Sequence, residues 1–135
     1  MSFPKAPNQR YTTSRQLIAG LDVNNLTDSQ NSFASITAIG ATQAAAAPID
    51  AANIEIKSGS ANNAGARLPV SYPGAEICVL NNSLNTTNIY PNGTDQIQNA
   101  GTTFAAASAA VAMATLVSWK LRCIKQGFWQ RWITN

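Results

Sequence analysis

Apolar and polar residues alternate most cleanly at two places in this chain, and both read as β-strands. Asn53 to Lys57 puts Ile54 and Ile56 on one side and Asn53, Glu55 and Lys57 on the other, the pattern of a half-buried strand. Glu76 to Leu80 puts Ile77 and Val79 on one face and Cys78 and Leu80 on the other. Because both faces of this second strand are apolar, it is expected to be covered on two sides, by a facing sheet on one and by more sheet or a neighbouring subunit on the other. A polar turn then leads to a further strand at Thr87 to Tyr90. Pro73, Gly74, Asn81, Asn82, Pro91 and Gly93 punctuate the two as turn chemistry requires.

The same reading extends over the rest of the chain. Ser35 to Ile39 is an expected strand, followed by an alanine-rich run, Ala41 to Ala47, that Pro48 stops. Gly59 to Gly65 is an expected loop. Arg67 to Ser71 is a short strand broken by Pro69, which would place it at a sheet edge or bulge. Gly93 to Gly101 reads as a turn-rich loop with Ile97 tucked inward. Leu116 to Ile124 is a long strand with Val117, Trp119, Leu121 and Cys123 on one face, and Gln126 and Gly127 turn it into a last strand from Phe128 to Ile133. Several short strands with turn signals between them predict an all-β fold, a β-sandwich or jelly-roll-like body over residues 34–135. Residues 1–33, with Pro4, Pro7, many Asn, Ser and Thr, and a small apolar patch at Leu17, Ile18 and Leu21, are expected to be an extended arm. Ser14 caps at most a single helical turn ending near Gly20.

The central stretch carries a resemblance. Pro73, Gly74, Glu76, Ile77, Val79, Asn81 and Asn82, then Asn88, Tyr90, Pro91, Gly93 and Ile97, with Cys123 and Trp129 near the end, are similar to small β-rich virion structural proteins of tailed bacteriophages, the capsid decoration or cement proteins and head-fibre-like domains. The likeness spans roughly Gly59 to the C-terminus. It implies a virion structural role without fixing the position on the shell; the cement-protein reading puts the chain on the outer capsid surface, with the major capsid protein and further copies of itself, as a homotrimer, for partners. The resemblance also places a strand in Phe104 to Ala114, where alanine propensity alone favours helix; strand is the reading adopted.

Composition changes the picture in one respect. Only 11% of residues are charged, less than half of the roughly 25% usual in soluble domains, so a surface of Asn, Ser and Thr suits permanent packing against other subunits. The net charge of +3 is mildly basic. Its one cluster, Lys120, Arg122, Lys125 and Arg131 among Trp119, Phe128, Trp129 and Trp132, is read as the solvated face of a hairpin rather than a nucleic-acid patch, so nucleic acid is a disfavoured partner. No run approaches the ~20 apolar residues of a membrane span, and the N-terminus lacks the apolar core of a signal peptide, so synthesis in a host cytoplasm is expected. Cys78 and Cys123 fit buried free thiols, with a disulfide as the alternative.

The absence of histidine and the scatter of six carboxylates offer no catalytic base or metal set, so no enzyme activity and no cofactor are expected. Glu55 and Glu76 would form a glycosidase-like pair only if they met across strands. Two binding roles compete. One is a cement protein whose arm docks on the shell through Phe3, Arg10, Tyr11 and Arg15, while Ile77, Val79, Leu80, Trp119, Trp129 and Trp132 form the core and subunit interface. Of the three Trp, two are expected to fill the core and one to lie at a subunit contact. The other is a receptor- or carbohydrate-binding fibre module that stacks sugars on Trp and Tyr90; a minor tail or adaptor subunit is a weaker third.

Overall fold

The computed structural model describes residues 32–134. The arm expected over residues 1–33, with Phe3, Arg10, Tyr11 and Arg15, therefore lies almost wholly outside the described residues, as does the helical turn at Ser14. The body is all-β, with no helix among the described residues. Its strands are β1 (Phe33–Ala38), β2 (Ala47–Pro48), β3 (Asn53–Gly59), β4 (Ala64–Arg67), β5 (Glu76–Asn81), β6 (Thr87–Tyr90), β7 (Gln96–Ala100), β8 (Thr103–Phe104), β9 (Val111–Met113), β10 (Ser118–Lys125) and β11 (Phe128–Thr134).

These strands form two sheets. The larger has seven, in the order β1-β3-β5-β10-β11-β7-β8, and the smaller has four, in the order β9-β6-β4-β2. From β1 to β6 the chain alternates between them. Within the large sheet β1, β3 and β5 are consecutive and parallel, and within the small sheet β2, β4 and β6 are likewise consecutive and parallel. The chain thus winds around the core through three successive circuits before β10 and β11 close it as an antiparallel hairpin beside β5. A jelly roll pairs its strands antiparallel, whereas five of the nine pairings among the described residues are parallel.

Both sheets turn their apolar residues to one shared core. Ile54 and Ile56 of β3, Ile77 and Val79 of β5, and Trp119, Leu121 and Cys123 of β10 meet Ala66 of β4, Ile89 of β6, and Val111 and Met113 of β9 in a single cluster, with Trp129 and Ile97 alongside. The alternation expected for β3, β5 and β10 holds, because the small sheet covers the face that carries Ile54, Ile56, Ile77, Val79, Trp119, Leu121 and Cys123.

Several expectations are corrected. The strands at 76–80 and 87–90, though joined by a polar turn, lie in different sheets. Both edges of β5 are taken, by β3 and β10, so the chain after Asn81 crosses to the small sheet, where β6 pairs with β4 and β9. The supposed loop from Gly59 to Gly65 contains the start of β4, and Arg67 ends that strand instead of beginning one, so Pro69 lies outside it and β4 is interior to its sheet. Its Ala-Gly-Ala-Arg composition has weak β propensity. Packing demands it: a Cβ at Gly65 would lie 2.9 Å from Ala46 Cβ and 2.9 Å from the Tyr90 ring. Residues 96–100 form β7 and not a loop, with Ile97 inward as expected. The run from Phe104 to Ala114 is neither helix nor one strand, because Ser108, at φ 67°, turns it. Its backbone N–H donates to Asp95 O at 3.0 Å and its hydroxyl to Gly93 O at 2.7 Å, which pins the turn to the 93–95 loop.

Candidate functional site

The outer face of the large sheet carries the features most suited to recognition. Strand register aligns Phe33, Asn53, Cys78, Lys120 and Trp132 in one row across five strands. Ser35, Glu55, Leu80 and Ser118 form the next row. Both rows point away from the core because they occupy the alternate positions to Ile54, Val79 and Trp119. Phe33 is 65% exposed, Leu80 40% and Trp132 43%. A shallow depression of about 320 Å³ is lined by Phe33, Asn53, Glu55, Cys78, Leu80 and Ser118.

The expectation that β5 is covered on both faces is therefore corrected. Ile77 and Val79 are buried, while Cys78 and Leu80 lie on the open side of the sheet. The same alternation separates the cysteines. Cys78 is exposed on the outer face and Cys123 is buried on the inner one, both as free thiols, so no disulfide joins them. Burial pushes the Cys123 thiol above its usual pKa, and its Sγ lies 3.1 Å from Lys125 O.

Charge on this face is mostly neutralised locally. Glu76 lies 3.7 Å from Lys120 Nζ and 3.8 Å from Arg122 Nε, in half-exposed pairs of little individual strength. Lys125 sits over the Phe128 ring at 4.4 Å, while Arg131, opposite Leu121 and so on the inner side of the sheet, sits over the Trp119 ring at 4.3 Å. The expected basic stripe is thus divided by a carboxylate and by aromatic rings. Asn82 Nδ2 donates to Glu55 at 3.0 Å and the Ser35 hydroxyl donates to it at 2.8 Å. The Asn82 amide first, and then the Ser35 hydroxyl, hold the Glu55 carboxyl below its usual range, so this cross-strand bridge is complete above that range and lost as acid protonates it. Glu55 sits opposite Leu80, four residues along β5 from Glu76. That is roughly 13 Å at a strand's rise, against the roughly 5–10 Å of a glycosidase pair, so the two carboxylates do not meet.

The predicted turn residues have separate structural tasks. Pro73 and Gly74 occupy the middle of a turn closed by Ala75 N–H donating to Tyr72 O at 3.1 Å. Gly74 has φ 89°, as the third position of a type II turn requires. Gly93 also adopts positive φ, 56°, in the turn that Asp95 N–H closes onto Asn92 O. Pro91 is fully buried. Asn81 is buried too, and it bonds outside its own turn. Its Nδ2 reaches Asn85 O, Met113 O and Ala114 O at 2.9, 3.1 and 3.2 Å. Its Oδ1 accepts from the Ser83 N–H and hydroxyl at 3.1 and 2.7 Å.

Trp119 and Trp129 are buried in the core, and Trp132 stands half-exposed on the outer face. Phe33, at the start of β1, escaped the sequence analysis as a surface residue; its alternation with Ala34 and Ile36 is the signal that places it outward. Comparison with known protein families, with curated protein sequences and with solved structures finds no match to this chain.

Proposed function

We propose that this chain is a non-enzymatic structural protein that acts by packing against other protein subunits. In the setting the resemblance implies, it is a decoration or cement protein that docks on the major capsid protein of a tailed-phage shell and stabilises that shell. On this reading the two sheets are a sandwich body, residues 1–33 are an arm laid along a neighbour, and the chain self-associates as a trimer. The observation that carries it is the outer face of the large sheet, which no other described strand covers. Two adjoining rows that expose Phe33, Cys78, Leu80 and Trp132, with Glu76 paired to Lys120 and Arg122, are a surface suited to a permanent contact. Binding there stabilises the bound lattice by mass action.

The test uses the exposed thiol as a footprint. Full-length protein is sedimented with assembled shells of the virus that encodes it, and Cys78 alkylation by a maleimide is timed in the free and pelleted states. The expected result is pelleting, slowed alkylation on the shell, and binding weaker by about tenfold or more for Leu80→Lys, a loss of about 1.4 kcal/mol. A chain that fails to pellet refutes the assembly role. A chain that pellets with Cys78 still freely alkylated refutes the outer face as the docking surface.

A further inference from the structure

The large sheet is incomplete beside its last strand. β7 pairs with β11 only at Phe128↔Gln96 and Trp129↔Ile97, while β10 follows the other edge of β11 as far as Thr134. Beyond Trp129, β7 diverges from β11. The Gln98 side chain spans the gap at its base: its Oε1 accepts the Arg131 backbone N–H at 3.0 Å, and its Nε2 donates to Gly101 O. A cleft of about 480 Å³ opens there, between Arg131, Trp132 and Ile133 on one wall and Asn99, Ala100 and Gly101 on the other.

Strand geometry dictates what faces this cleft. Alternate residues of a strand direct their backbone N–H and C=O to the same edge. The Arg131 N–H points to Gln98, so the N–H and C=O of Ile133 point the same way, into the opening where β7 offers no ladder partner. Trp132, 43% exposed, flanks the cleft on the outer face, and Ile133, 56% exposed, on the inner. The Arg131 guanidinium reaches across the inner side of the cleft to donate to Asn99 O and lies over the Trp119 ring. No carboxylate pairs with it among the described residues, and burial alone lowers its pKa.

We propose that this cleft is a β-strand addition site, in which an extended peptide segment of a partner protein pairs with the open edge of β11 at Ile133 and sets an acidic side chain against Arg131. The backbone pairing supplies the docking and Trp132 and Ile133 give the added strand an apolar contact on each face. The unpaired cation selects the charge. This site shares Trp132 with the docking surface around Cys78 and Leu80 but is built on the edge of β11, and it stands whether or not that surface binds a shell.

The probe is a short, capped peptide of alternating threonine and valine with one central glutamate, compared with the same peptide carrying lysine instead. Both are titrated into the full-length protein and followed by amide NMR. The expected result is a saturable shift of the Ile133, Asn99 and Gly101 amides with slowed exchange of the Ile133 N–H. The lysine peptide should bind about fivefold more weakly, near 1 kcal/mol, and Arg131→Met should abolish that preference. Ile133→Pro removes the β11 backbone donor aimed into the cleft while leaving the β10 ladder its own donors, and binding should then be lost. Shifts that map elsewhere, binding that survives Ile133→Pro in a folded variant, or glutamate and lysine peptides of equal affinity would each overturn the proposal. So would capture of an oligosaccharide at the Trp132 indole with no response to the peptides.

Discussion

Asn81 shows how one side chain fastens its own crossing loop to a segment remote in sequence. Its amide group reaches the carbonyls of Asn85, Met113 and Ala114 and receives two donors from Ser83, with no exposure to solvent. The end of β5, the crossing loop and the segment after β9 are thereby held together. Leu116 N–H adds a bond to Asn81 O at 2.7 Å, from a backbone at φ 60° that leucine seldom adopts. Only an amide offers donors on one side and an acceptor on the other. Asn81→Ala should therefore cost about 2–4 kcal/mol, because buried carbonyls and the Ser83 hydroxyl lose their partner. Asn81→Asp should cost at least as much near neutral pH, since it turns a charged acceptor toward three carbonyls. Urea denaturation measures both, and a loss below about 1 kcal/mol would mean that water replaces the amide. In the sequence Asn81 reads as a turn residue, and it does sit at one. Its larger task is illegible there, because Met113 and Ala114 arrive from more than thirty positions away.

At the scale of the element, β5 is the strand whose phase the sequence announces and whose neighbours it conceals. Ile77 and Val79 alternate with Glu76, Cys78 and Leu80, and the alternation alone shows that the two sets face opposite ways. It does not show which face is covered when both contain apolar residues. The small sheet covers the Val79 side, and the Leu80 side is open. Parallel pairing is equally silent: β3 and β5 adjoin through residues such as Ile54 and Val79, with no turn between them to signal the contact. Strand β4 is hidden for another reason, since Ala64, Gly65 and Ala66 have weak strand propensity and Gly65 leaves the space that Tyr90 and Ala46 occupy. The antiparallel hairpin of β10 and β11, by contrast, is local, and Gln126 and Gly127 mark it plainly. Adjacent substitutions test the phase. Val79→Asp should unfold the body, because an unpaired charge buried in the core costs several kcal/mol. Leu80→Asp should leave it folded within about 1 kcal/mol, as surface changes do. Circular dichroism with thermal melts separates the two, and equal damage from both would show that the outer face is covered as well.

The described body is two sheets around one core, and its cooperativity follows from how the chain is wound. Because β1 to β6 alternate between the sheets, neither sheet is a contiguous piece of sequence. The small sheet holds only four strands, two of them of two or three residues, too little to bury an apolar face alone. Its Ile89, Val111 and Met113 are buried in the same cluster as Trp119 and Trp129 of the large sheet. Melting one sheet would therefore expose the inner face of the other, and the body should unfold in a single transition. Trp119 and Trp129 report the core from the large sheet by fluorescence, while far-ultraviolet circular dichroism reports both sheets, so the two urea curves should coincide. Met113→Ala, a truncation confined to the small sheet, should move both curves together, by about 2–4 kcal/mol for a fully buried side chain. Curves that separate, with circular dichroism falling before the tryptophan signal changes, would mean that the small sheet is a loosely held lid and that the large sheet with its hairpin stands by itself.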